Sequence, residues 1–129
     1  MSIVDFIVSG LIFFIIDAMY LSTFGKKFAI MVKMIQGEKI KMNYSKYISA
    51  LICYILLIFS LNYYVLSEER SLLNAFLLGV IIYGVFDSTN YVIFNEYNAT
   101  IGLIDSLWGG VLFTITTFIF YKIKKLNLF

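Results

Sequence analysis

Residues 101–115 read IGLIDSLWGGVLFTI, a run fit for lipid except that Asp105 stands inside it. Continued to about residue 121, the run reaches the roughly 20 apolar residues that a helix needs to cross a bilayer. Three more segments meet that requirement, at about 3–24, 44–66 and 72–94. Their unbroken apolar character lacks the alternation of a membrane β-barrel strand. Two of them repeat the anomaly: FFIIDAMYLS (13–22) holds Asp17 and YGVFDSTNYV (83–92) holds Asp87.

The composition agrees. Of 129 residues, 61% are hydrophobic and only 14% are charged, and the mean hydropathy is +0.91. A soluble domain of this size leaves a large share of its surface in water and could not hide so much apolar area. The expected fold is therefore all-α, a four-helix transmembrane bundle forming a single integral membrane domain over residues 1–129.

Other classes fall away. A net charge of +2 is too small for a nucleic-acid footprint. Histidine is absent and Cys53 is the single cysteine, so no metal site and no cofactor is expected, nor an internal disulfide. No Lys or Arg precedes Lys26, and no small-residue cleavage site follows the first apolar run, so that run is expected to stay in the membrane.

The connections differ in length. SEERS (67–71) and NEYNA (95–99) are tight turns that make the second, third and fourth helices antiparallel neighbours. The first connection, 25–43, mixes lysines with apolar residues. Phe24, Phe28, Met31 and Ile35 recur at helical spacing, which predicts a short interfacial helix between helices 1 and 2. Residues 25–46 carry six lysines, against Arg70, Lys122, Lys124 and Lys125 on the other side. The lysine rule places the 25–46 connection in the cytoplasm. The N-x-S/T matches at Asn43 and Asn98 hug the membrane and are taken as chance.

Depth brings the acids together. Asp17 and Asp87 lie about four residues past the centres of their spans and Asp105 about five before its own, which at 1.5 Å per residue shifts all three roughly 6–8 Å toward the lysine side. Helical spacing puts Tyr83, Asp87, Asn90 and Tyr91 on one face, and Asp105 and Trp108 on another. On helix 1, Asp17 groups with Phe13, Tyr20 and Leu21. Helix 2 passes this depth near Leu51, with Tyr47 and Tyr54 a turn to either side. A charge at mid-membrane costs about 2.5–3.5 kcal/mol, and no basic residue lies at that depth within the spans. The carboxyls are expected to share protons and to face one another, Asn90 and Trp108 rather than lipid.

The motifs D-x-x-Y-L (Asp17, Tyr20, Leu21), F-D-S-T-N (Phe86–Asn90) and D-S-L-W-G (Asp105–Gly109) resemble, in order and spacing, those of DUF2177, a family of predicted small membrane proteins. Tyr20 stands where the family often has tryptophan, Phe86 where it has tyrosine and Ser88 where it has leucine. The resemblance spans nearly the whole chain. It implies four spans and a polar cluster of Asp17, Asp87, Asn90, Asp105 and Trp108 supported by Tyr20, Tyr83 and Tyr91, but no reaction.

Three functions suit such a cluster. It can serve proton- or cation-linked transport, in which case four helices are too few for a wide path and a homodimer is expected. It can clamp the helices of a structural or accessory subunit with a membrane partner protein, with Gly79, Gly84, Gly102, Gly109 and Gly110 permitting close contact. It can belong to an enzyme acting on lipid or isoprenoid at the lysine-side leaflet. Membrane lipid is a partner in every case, and nucleic acid in none.

Overall fold

A computed structural model describes residues 1–129. It contains four long helices: α1 (Ile3–Gln36), α2 (Tyr44–Leu61), α3 (Leu72–Ile93) and α4 (Ala99–Lys125). All four are long and apolar enough to cross a membrane, α2 together with the turn that follows it. Only 21 of the 129 residues are buried, so most of the apolar surface faces outward and requires lipid to cover it.

Each helix starts on a polar cap. Ser2 Oγ accepts from the Asp5 amide at 3.0 Å, and Ser71 Oγ from the Asn74 amide at 3.2 Å. Asn43 Oδ1 takes the Lys46 amide at 2.9 Å. Asn98 Oδ1 takes the Thr100 and Ile101 amides at 2.9 and 3.1 Å. The two asparagines of the N-x-S/T matches are thus N-caps, satisfying amides that a helix start leaves free.

The first connection corrects the sequence expectation in one respect. Residues 25–36 are helical, but they continue α1 without a break, so no separate short helix lies between α1 and α2. Nothing in the segment stops a helix. There is no proline, Ser22 and Thr23 turn their hydroxyls back to the Met19 and Tyr20 carbonyls, and Gly25 alone costs only about 1 kcal/mol. The apolar face also has protein to meet. Met31 is buried and its sulfur accepts the Asn98 amide at 3.2 Å, so α1 packs over the α3–α4 turn. The helix ends where Gly37 enters the left-handed region (φ 83°) and its amide bonds the Lys33 carbonyl at 2.8 Å.

α3 and α4 form the tightest pair. A Cβ at Gly79 would overlap the Gly109 carbonyl, and one at Gly110 would come within 2.6 Å of both Phe76 and Val80. These glycines let the two backbones touch. Gly102 lies under the Tyr97 ring, and Gly84 faces open space, so Gly84 takes no part in the close approach.

α2 closes with one π-turn, Asn62–Leu66, marked by the Ser67 amide on the Asn62 carbonyl at 2.9 Å. The turn presents Asn62 inward, where Nδ2 donates to Ser9 Oγ at 2.8 Å and to the Ile58 carbonyl at 2.9 Å. The core beside it centres on Phe13, Leu61, Val65, Leu112 and Phe113. Phe13 and Phe113 meet edge to face at 5.5 Å. At the far end Lys124 Nζ reaches Asp5 Oδ1 at 2.7 Å, tying the end of α4 to the start of α1.

Candidate functional site

The acids divide into two arrangements. The first is Asp17, buried on α1 one turn beyond Phe13. The Tyr54 hydroxyl of α2 donates to its Oδ2, and the Trp108 indole N–H of α4 donates to its Oδ1 at 3.0 Å. Tyr20, one turn further along α1, stacks on Trp108 with centroids 4.3 Å apart and planes 6° from parallel. Both oxygens of Asp17 are therefore engaged, and three helices are bound through one carboxyl.

The second arrangement pairs Asp87 with Asp105. Asp87 is 4% exposed. Tyr97 Oη donates to its Oδ1 at 2.6 Å, and Ser106 Oγ lies 3.1 Å from its Oδ2. Asp105, half-buried on α4, directly precedes Ser106 in the chain, so it neighbours Asp87 across the α3–α4 contact. Ser106 Oγ is also 2.9 Å from the Gly102 carbonyl. Its single hydrogen can point to that carbonyl or to Asp87, so the serine can accept from a protonated Asp87 or donate to an ionised one.

Of the residues singled out from the sequence, Asp17, Tyr20 and Trp108 form the first arrangement, and Asp87 and Asp105 the second. Asn90 is half-buried and hydrogen-bonds to none of the three acids. Tyr83 packs on Gly109 and stands edge-on to Phe113 at 6.4 Å. Tyr91 is 58% exposed and bonds to none of the acids.

Tyr97 and Ser106 are contributors that sequence spacing did not raise. Tyr97 belongs to the α3–α4 turn, outside every span, yet it is buried. Burial, followed by its bond to Asp87, pushes its phenol well above the ordinary range. An aromatic residue in an otherwise polar five-residue turn was the available signal. Ser106 had none beyond being next to Asp105. Tyr54 was at the right depth, while Tyr47 faces outward.

Two cavities flank the acid pair. One, of about 330 Å³, opens between α1, α2 and α3; Asp105 is in its wall, and the rest is mainly Tyr20, Phe24, Phe28, Leu57 and Phe86. The other, of about 370 Å³, opens beside the α3–α4 turn and is lined by Asp87, Ser88, Tyr91, Tyr97 and Ser106 among others. No lysine or arginine lines either cavity. The first exists because α2 packs on α1 and scarcely touches α3.

Four spanning helices around intramembrane carboxylates define a small multi-pass integral membrane protein. The chain belongs to the DUF2177 family, described as "Predicted membrane protein", whose family model matches residues 2–121. No curated protein and no solved structure matches the chain.

Proposed function

We propose that the protein carries out proton- or cation-linked transport, with Asp87 and Asp105 as the exchanging acids and Asp17 as a structural clamp. The observation behind this is the position of the Asp87–Asp105 pair between two cavities. One cavity meets the lipid-facing side of the bundle and the other meets the turn at the membrane surface. A proton held between two carboxyls can leave through the second when a charge arrives in the first. Asp17, with both oxygens occupied by donors from two other helices, is suited to hold the bundle together and not to exchange.

The lysine count supports a cytoplasmic placement of the Lys-rich 25–46 end, so the acids would be served from the cytoplasmic leaflet. The monomer encloses no wide path, and a second copy is the simplest way to complete one.

Infrared spectroscopy of the protein in lipid tests the assignment. The protonated-carboxyl band is expected to change with bulk pH. Asp87→Asn or Asp105→Asn should remove the changing component, and Asp17→Asn should leave it. A band that stays fixed over the whole accessible pH range would mean sealed acids and a purely structural cluster.

A further inference from the structure

We propose that the cavity between α1, α2 and α3 binds a lipophilic organic monocation, its apolar body filling the chamber and its charge resting against Asp105 in place of the proton shared with Asp87. This deepens the transport proposal and rests on it.

The cavity is the reason to name a substrate class. Its volume, about 330 Å³, is that of a compact organic molecule and exceeds what a proton or metal ion requires. Nine of its eleven lining residues are hydrophobic, so a strongly hydrated solute would lose its water without compensation. Leu21 and Phe86 in its wall are also exposed on the outer surface, as is Cys53. The opening therefore faces the hydrocarbon, and the ligand must dissolve in lipid to reach it.

Charge sets the sign. Asp105 is the one acid in the wall, and no basic residue stands there. An anion would be driven against a carboxyl, whereas a cation is attracted by it and by the aromatic rings of Phe28 and Phe86 in the wall. When the cation binds, the proton between Asp105 and Asp87 is released by way of Asp87 and the second cavity. One positive charge replaces another, and the site stays as neutral as before. The other titratable groups around Asp105 and its cavity are Asp17 and Tyr20 on α1, Cys53 on α2, Tyr83 and Asp87 on α3, and Tyr97 in the turn. None of these is basic; Lys27, whose ammonium lies 5.4 Å over the Phe24 ring, is not among the residues lining the cavity.

The molecule carries two probes for the test. Trp108 is the single tryptophan, and its stacking partner Tyr20 forms part of the cavity wall. Cys53 is the single cysteine and lines the same space. In phosphatidylcholine nanodiscs, tetraphenylphosphonium and tetraphenylborate, alike in shape and opposite in charge, are titrated against Trp108 fluorescence and against the rate of Cys53 alkylation. Empty nanodiscs correct for partition into lipid.

The cation should give a saturable change and protect Cys53, and the anion should do neither. Affinity for the cation should rise with pH by up to about tenfold per unit while it competes with a proton. Asp105→Asn should abolish that dependence and weaken binding by about tenfold or more. Equal saturable binding of the anion, or none of the cation, overturns the proposal. So does an Asp105→Asn protein that binds the cation like wild type at every pH. Should that variant fail to fold, the contrast between the two ions on the wild type still decides. If the cation fails to bind while the carboxyl band titrates, the ligand class is wrong and the proton site stands; a fixed band removes both.

Discussion

Replacing Asp17 by leucine and by asparagine should separate a clamp from an exchanging acid. Asp17 accepts from Tyr54 on one oxygen and from Trp108 at 3.0 Å on the other. Leucine removes both acceptors and leaves an indole N–H and a phenol O–H facing apolar side chains. Hydrogen bonds between membrane helices contribute about 0.6–2 kcal/mol each, so the loss of two should destabilise the protein by about 1–4 kcal/mol. Asparagine can satisfy the same partners, because its oxygen takes the indole N–H and its amide donates to the tyrosine, whose hydroxyl reverses. Its cost should be about 1 kcal/mol or less. The assay is equilibrium unfolding in mixed dodecyl maltoside and dodecyl sulfate micelles, followed by circular dichroism. Emission from Trp108 gives an independent readout and should shift to the blue in Asp17→Leu, where the indole loses its acceptor. If the two variants are equally stable, or leucine is as stable as wild type, Asp17 does not clamp the helices.

The glycine contact and the long first helix yield the remaining predictions. Gly79→Ala must push α3 away from the Gly109 backbone, an overpacking that should cost about 1–3 kcal/mol. Gly84→Ala meets nothing and should stay within about 0.5 kcal/mol of wild type; the same unfolding assay compares them, and equal effects would argue against the α3–α4 packing. Spin labels at Ile15 and Lys33, both outward on α1, in a Cys53→Ser background, should lie about 27 Å apart along a continuous helix. A right-angle bend at Gly25 would instead bring them to about 19 Å by the same rise per residue, a difference that pulsed electron resonance resolves.

The limits of the sequence are clearest at the first connection. The period of Phe24, Phe28, Met31 and Ile35 correctly announces a helix, because periodicity is a local property. It says only that one face is apolar, not what that face meets. Lipid headgroups and the α3–α4 turn are equivalent from the sequence alone, and Met31 against Asn98 decides between them. The glycines show the same division. Gly79 and Gly84 are alike in sequence context, yet only Gly79 faces a backbone, since the rotation of α3 about its axis is set by α4.

The number of spans, the lipid surroundings and the family motifs were legible in the sequence. The first two follow from transfer energies and a fixed rise per residue, which add along the chain without reference to other helices. Only the tertiary structure decided that Asp17 binds Tyr54 and Trp108 while Asp87 meets Asp105. It alone brought Tyr97 out of a turn and under Asp87, and opened a cavity where α2 leans away from α3. Those outcomes depend on how helices are rotated and spaced against one another, and that is fixed by where backbones can touch, as at Gly79 and Gly109, and where bulky side chains hold them apart.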